Sequence, residues 1–338
     1  MLLSVKEFML MIATALEYYN LQSPNEELIR HSENLTYKVI DGDKTYLLRI
    51  HKPVDGFNMD MVRMGKEAND LILGEVELLL HLAEKGNVMT QKIKPNKFGD
   101  AVTTLDDKTL ATLLEWIDGD TLDQIKITES IAYEIGVMVG KMHNDLKTLT
   151  IMNRYSYDES LLTTMLAETD EALKQGNFSE KQAKIITNAL SYMRNHFIKL
   201  KHKFMLFHAD LSNSNLLLHN NQIVPIDFSM SGYCIPEIEL AMIFGNINSE
   251  ILNQNVLKGY KSACQIELDY KGIDSCSCLL ILLFAIGQHK RFAKEEWFTN
   301  KLDEWCNNKF VPLVEDENIS SDMIGSDLIP ARLWKDVL

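Results

Sequence analysis

The sequence predicts an α+β chain of two lobes, a small antiparallel sheet with one long helix followed by a larger, mainly helical part. Three observations carry that expectation. In the first third, apolar and polar residues alternate with the period of a strand. Beyond residue 118, apolar residues recur every three or four positions, as on a helix face. Between Phe204 and Phe228 the helical period breaks into short apolar runs separated by polar loops, the mark of small strands set among helices. The length, 338 residues, exceeds one comfortable core and supports two lobes.

The elements follow in order. Residues 1–20 suggest a helix, with Val5, Phe8, Met9, Ile12 and Leu16 on one face. Lys6 and Glu7 interrupt its apolar run, Glu17 closes it, and no small-residue cleavage site follows, so it is not read as a signal peptide. Residues 32–51 read as a β-hairpin in which 35–40 alternate, Asp41-Gly42-Asp43 turns, and 45–50 return. Residues 61–85 read as one helix, with Leu71, Ile72, Val76, Leu79 and Leu82 on a stripe and Gly86 as its stop. Residues 101–105 and 109–117 are strand-like. After Asp118-Gly119-Asp120, one helix is marked by Ile131, Ile135, Met138, Val139 and Met142, and another by Ile185, Ala189, Met193, Phe197 and Leu200. Residues 204–207, 216–218 and 223–226 are short strands, and 236–310 are helical again. A hinge near 115–119 divides the chain into lobes at 1–117 and 118–338.

Composition narrows the function. Lys and Arg number 34 against 48 Asp and Glu, a formal charge of −14, which argues against a nucleic-acid binder and leaves a cationic or neutral small partner open. The five cysteines, Cys234, Cys264, Cys276, Cys278 and Cys306, lack zinc or redox spacing and read as apolar fillers in a reducing compartment, so the expected location is cytoplasmic. The apolar run 279–286 is too short to span a bilayer, and no membrane partner is expected. The nine histidines form no HExxH pair, and no G-x-S-x-G elbow is present, so zinc enzymes and serine hydrolases are set aside.

The informative segment is F-H-A-D-L-S-N-S-N-L-L-L from Phe207, followed by V-P-I-D-F-S from Val224. In fixed letters it is H-x-D-L-x-x-x-N with D-F twelve residues past the Asn, a pattern expected by accident in roughly one chain per thousand. It places Asp210 and Asn215 on one loop and Asp227 at the end of a short hairpin. Phosphoryl transfer needs such a set. One carboxylate orients and deprotonates the attacking hydroxyl, while an amide oxygen and a second carboxylate hold magnesium against nucleotide phosphates.

On these residues the chain resembles the aminoglycoside phosphotransferase and choline kinase superfamily, the small-molecule branch of the protein-kinase-like fold. His208-Ala209-Asp210 is similar to that family's catalytic loop and Ile226-Asp227-Phe228 to its metal-binding strand end. Upstream, Ser32-Glu33-Asn34 resembles the nucleotide loop, Tyr46 to Ile50 the third strand, and Leu114 to Gly119 the adenine-contacting hinge. The likeness runs in order over about residues 30–245, and the helices of 237–310 are where such families set substrate specificity.

The resemblance implies a bilobal protein-kinase-like fold, ATP and Mg²⁺ as cofactors, and a small-molecule hydroxyl as acceptor, such as an aminoglycoside, choline or ethanolamine, homoserine or a sugar. Monomer and homodimer both stay open. It implies Asp210 as base and Asn215 and Asp227 as magnesium ligands. Arg49 stands where kinases place a phosphate-gripping lysine, and its helical partner would be Glu75, with Glu67 and Glu77 as rivals. Ser32 and Asn34 would donate to phosphate, although their loop has no glycine, and Glu115 and Ile117 would line the adenine site. His208 would brace the loop; His143, ending a helix, is accounted for by a C-terminal cation or an internal hydrogen bond. The chain departs from the family at Ala209, Ser229, Cys234 and Glu239, and Glu239 would brace the catalytic loop in place of an aspartate. Glu237, Glu239, Glu295 and Glu296 would make the acceptor side acidic, although Glu295 and Glu296 also read as a solvated face. A protein Ser/Thr kinase and a spore-coat-like nucleotide-binding protein with little activity are the alternatives.

Overall fold

The computed structural model describes residues 5–54 and 59–315. The first part holds α1 (Val5–Glu17), β1 (Asn25–His31), β2 (Leu35–Asp41), β3 (Lys44–Ile50), α2 (Asp60–Arg63), α3 (Ala68–Lys85), β4 (Thr103–Thr104) and β5 (Leu110–Glu115). Next come β6 (Asp120–Thr121), α4 (Glu129–Leu146), β7 (Tyr155–Ser156), α5 (Glu159–Lys174), α6 (Glu180–Leu200), β8 (Met205–Phe207), β9 (Leu216–His219), β10 (Gln222–Pro225) and β11 (Gly232–Cys234). The chain continues through α7 (Glu237–Ile247), α8 (Glu250–Ala263), α9 (Tyr270–Phe292), α10 (Glu296–Trp305) and α11 (Val311–Val314).

The first five strands form one antiparallel sheet in the order β1-β2-β3-β5-β4. Its alternation has a cause on each face. Leu35, Tyr37, Val39, Leu48, Ile50, Ala111 and Leu113 pack with Ile12, Ala15, Leu16 and Tyr19 of α1. Leu47 and Leu114 face the other way, into the core shared with Leu71, Leu78, Leu79 and Leu82 of α3. Arg49, between Leu48 and Ile50 on β3, is therefore carried toward α3. Two smaller sheets, β10-β9-β6 and β7-β11-β8, lie among the helices of the second part.

Several expectations are corrected. The N-terminal helix is described over Val5–Glu17, residues 1–4 and the side chains of Val5 and Phe8 fall outside the described residues, and Met9 is exposed, not buried. The stripe it presents is Ile12, Ala15, Leu16 and Tyr19. Strand β1 was not anticipated, because it is an edge strand open along almost its whole length and so leaves no alternating apolar signal. The single helix expected over 61–85 is two, divided where Met64 and Gly65 take left-handed backbone, φ 48° and 78°. His143 is fully buried and bonded through Nδ1 to the Tyr260 hydroxyl at 2.9 Å, and burial pushes its pKa down to about 3. The internal hydrogen bond, not a helix-end cation, accounts for it.

All five cysteines are free and buried. By length and composition α9 reaches the size of a membrane span, beyond the short run read from the sequence, but 56% of its apolar window is buried inside the protein, as in a core helix. Helices α4 and α8 cross so closely that glycine is required on both. A Cβ on Gly136 would lie 1.9 Å from the Val256 carbonyl oxygen, and one on Gly259 would lie 2.0 Å from that of Tyr133. Alanine normally gains about 1 kcal/mol over glycine inside a helix. Here the clash is with backbone, so the helices must separate, and overpacking costs about 1–3 kcal/mol or more. Gly136→Ala is therefore expected to lower the melting temperature by several degrees. A melting temperature equal to wild type would refute the close crossing.

Candidate active site

The site is assembled where β3, α3 and the loops after β8 and β10 converge. Arg49 donates through Nη1 to Glu75 Oε1 at 2.7 Å and through Nη2 to Asp227 Oδ1 at 2.9 Å. Burial opposes the guanidinium charge, yet the Glu75 and Asp227 carboxylates outweigh it and raise the Arg49 pKa. Glu75 is buried whereas Glu67 and Glu77 are exposed, which decides the helical partner of Arg49. A second cation was not foreseen: Arg30 on β1 places Nη2 3.8 Å from Asp227 Oδ2. Its strand carried no pattern, so nothing in the sequence drew attention to it.

The loop after β8, expected from the sequence to be catalytic, is held from below. His208 is fully buried, donates from Nε2 to the Ile226 carbonyl at 3.0 Å, and accepts the Asp210 N–H on Nδ1 at 3.3 Å. Its ring lies 4.3 Å from that of Phe228, and burial pushes its pKa down to about 4. Ala209 takes φ 62°, and its N–H donates to Glu239 Oε1 at 2.7 Å. The bracing expected of Glu239 is thus present in the geometry. Asn215 Nδ2 donates to Asp210 Oδ2 at 2.8 Å and to the Asp210 carbonyl at 3.0 Å. The Ile226 N–H donates to the Asn215 carbonyl at 2.9 Å, which brings Asn215 beside Asp227. Asp210, Asn215, Asp227, Arg49 and Glu75 therefore come together.

The two aspartates differ sharply. Burial first, and the Asp227 charge second, push the Asp210 carboxyl up to about 8, against a bond from Asn215 that lowers it. Burial alone would raise Asp227, but Arg49, the Ser229 hydroxyl and Arg30 hold it below the ordinary carboxylate range. The oxygens of Asp227 and Asn215 suit a hard divalent cation. Among the described residues no three His, Cys, Asp or Glu gather into a metal cage, so an ion here would complete its shell with phosphate oxygens and water.

The nucleotide loop departs from expectation. Asn34 is buried, and its Oδ1 accepts from His51 Nδ1 at 2.9 Å while His51 Nε2 meets Thr112 Oγ1 at 3.2 Å. The amide carbonyl is used inside the sheet to fix His51, whose pKa burial and the Arg49 charge push down to about 3. Ser32 is half-buried with both main-chain groups bonded, to the Asn34 carbonyl and the Val54 N–H. Glu33 between them was passed over in the sequence. Its carboxyl bonds Ser229, and burial and the Asp227 charge push it up to about 7. Glu33, His51, Arg63, Glu75, Tyr155 and Ser229 line a cavity of about 100 Å³ beneath this loop. At the hinge, Glu115 is exposed, while Ile117 packs on Leu217, Val224 and Ile226 in an apolar cluster of its own.

The acidic acceptor wall is not formed by Glu237 and Glu239. Both are almost fully buried, and Glu237 Oε1 accepts from the Asp269 N–H at 2.6 Å. Burial outweighs the backbone bonds from Ala209 and His208 and pushes Glu239 up to about 8. Because its folded pKa lies above the ordinary value near 4.5, the native state keeps a proton the unfolded chain has lost. That contribution to stability is complete below about pH 4.5 and is lost as pH rises to about 8. Glu239→Gln cannot ionise, so its stability is expected to exceed wild type above pH 8 by on the order of a few kcal/mol relative to their difference at low pH. Urea unfolding of both proteins from pH 4.5 to 8.5 checks this, and parallel curves would refute it.

The model of the phosphotransferase enzyme family matches residues 26–270. An amicoumacin kinase of Bacillus subtilis (strain 168) is 26% identical over 233 residues, covering 66% of this chain and 63% of that protein. Among solved structures, an amicoumacin kinase in complex with AMP-PNP, Ca²⁺ and Ami superposes with a TM-score of 0.71 at 17% identity, over 94% of this chain and 99% of the other. A microcompartment-associated aminopropanol kinase gives 0.69 at 20% identity, over 90% and 96%. Both likenesses establish the kinase-like fold.

Proposed function

The chain belongs to the phosphotransferase enzyme family, and we propose that it transfers the γ-phosphoryl group of ATP, with Mg²⁺, to a hydroxyl of an amine-bearing small molecule. The observation that carries this reading is the joint placement of Asp210, Asn215 and Asp227 around one backbone bond from Ile226 to Asn215, with Arg49 bridging Asp227 to Glu75. Asp210 takes the acceptor hydroxyl proton, Asn215 and Asp227 hold the cation, and the Arg49 fork faces the phosphates. A dication held by Asn215 and Asp227 would supply positive charge to offset that of the phosphates and of Asp227. With the Asp227 charge offset, Asp210 would lose the second-largest of the causes that push it up to about 8 and be drawn toward the ionised form a base requires.

An amine on the acceptor is supported by the net charge of −14 and by the aminopropanol kinase among the structural neighbours, whose name denotes an amino alcohol. Amicoumacin, an aminoglycoside, choline, ethanolamine, homoserine and amino sugars are the acceptors proposed. The free, buried thiols suit a reducing compartment, so the cytoplasm is the proposed location. The test is ADP release from ATP with each acceptor and a generic protein substrate, in Mg²⁺, Mn²⁺ or Ca²⁺, with GTP in parallel. Turnover with an amino alcohol supports the reading. Turnover only on protein, or no metal-dependent nucleotide binding, would overturn it.

A further inference from the structure

Arg154 lies outside every motif, yet it is 1% exposed and surrounded by backbone oxygens. Its Nε donates to the Ser231 carbonyl at 2.8 Å, Nη2 to the carbonyls of Phe228, at 3.0 Å, and Ser229, and Nη1 to the carbonyl of Leu71. Three of those acceptors belong to the four residues that directly follow Asp227. The fourth lies on α3, one turn before Glu75. A single side chain thus joins the turn behind the proposed metal ligand to the helix carrying the partner of Arg49. The contact is close on the main chain as well, since a Cβ on Gly74 would lie 2.2 Å from the Asn153 carbonyl oxygen. Lys66 secures the same segment from the other side by donating to the Arg154 carbonyl.

The turn needs such support. Asp227 holds a left-handed backbone, φ 63°, that non-glycine residues avoid, and no side chain caps the short 3₁₀ turn it starts. Only a guanidinium has a planar fork that reaches several fixed carbonyls at once; a lysine ammonium on its flexible stem cannot. We infer that Arg154 is the positioning residue that keeps Asp227 in register with the Arg49–Glu75 pair, so that metal ligand and phosphate-facing pair move as one unit. This rests on the phosphotransferase reading above.

The test is Mn²⁺ binding in the presence of ADP, followed by the electron paramagnetic resonance of free Mn²⁺, for wild type, Arg154→Lys and Tyr157→Phe. Tyr157 also bonds this turn, donating to the Met230 carbonyl at 2.7 Å, and its hydroxyl can be removed without changing a charge. Arg154→Lys is expected to weaken Mn²⁺ binding about 10-fold, as loss of a partner that orients a metal ligand does, with ADP affinity in the absence of metal unchanged. Tyr157→Phe, which removes a single hydroxyl and keeps the ring, is expected to weaken it about 2–3-fold by the same logic. In turnover, kcat falls while the acceptor KM holds. Mn²⁺ affinity unchanged in both variants, or lost only together with metal-free ADP binding, would overturn the positioning role alone. A wild-type protein that shows no metal-dependent ADP binding would instead overturn the phosphotransferase reading on which it rests.

Discussion

Asp210→Asn is expected to lower kcat by about 10²–10⁴-fold, the range for loss of a general base, with nucleotide affinity near that of wild type. The asymmetry follows from the contacts. Asp210 touches the rest of the site through Asn215, whose Nδ2 reaches its Oδ2 at 2.8 Å, and an asparagine oxygen accepts that bond equally well. Arg49, Asp227 and Glu75 contact one another without Asp210, so the groups proposed to face cation and phosphates keep their places. What disappears is a carboxylate able to take a proton. Burial pushes the native carboxyl up to about 8, so removing its charge also removes a destabilising group. The metal-free variant should therefore melt at or above the wild-type temperature at pH 8.5. Calorimetric ADP binding, turnover and a melt on one preparation separate the three effects. Turnover within about 10-fold of wild type would exclude Asp210 as base, because loss of a general base costs at least about 10²-fold.

Legibility in the sequence tracks how local each cause is. The β2–β3 hairpin was readable because Leu35, Tyr37 and Val39 of β2 pack toward α1 while the residues between them stay partly open, which imposes period two. Strand β1 faces solvent on nearly every residue and so has no pattern to read, and with it Arg30 was lost. The catalytic loop was readable as a whole because Asp210 and Asn215 are five residues apart and their bond is local. Arg49 was found by its place on a strand, but its bond to Asp227 spans 178 residues, and choosing Glu75 over Glu67 and Glu77 required the helix to be placed against the sheet. Arg154 reaches partners 74 to 83 residues away, all of them backbone carbonyls that leave no trace in residue identity. The acidic wall failed for a related reason. Glu237 and Glu239 count as charge in composition, yet in the fold both are buried against backbone N–H groups, and the pKa of each is raised.

Arg49→Met is expected to have the largest effect on stability. The arginine is the cation between two carboxylates, Glu75 at 2.7 Å and Asp227 at 2.9 Å, and the side chains of Arg49 and Glu75 are each only 6% exposed. Breaking a buried pair by removing one partner leaves the other charge stranded, at a cost of about 3–5 kcal/mol. Glu75 bears most of it, because Asp227 keeps 24% of its side chain open and has Arg30 nearby. A double substitution isolates this cause. Arg49→Met with Glu75→Gln removes the stranded charge along with the cation, so its loss should be smaller than that of Arg49→Met alone, a non-additivity expected of contacting groups. A cation supplied from outside should act on both variants. A cation held at Asp227, as proposed, would also be drawn by the unpaired Glu75 carboxylate, so Mg²⁺ with ADP is expected to raise the melting temperature of Arg49→Met at least as much as that of Arg49→Met/Glu75→Gln. Should the single and double variants melt together, with and without Mg²⁺ and ADP, Glu75 would not be the charge that Arg49 compensates, and the pair would be a by-product of packing α3 against the sheet.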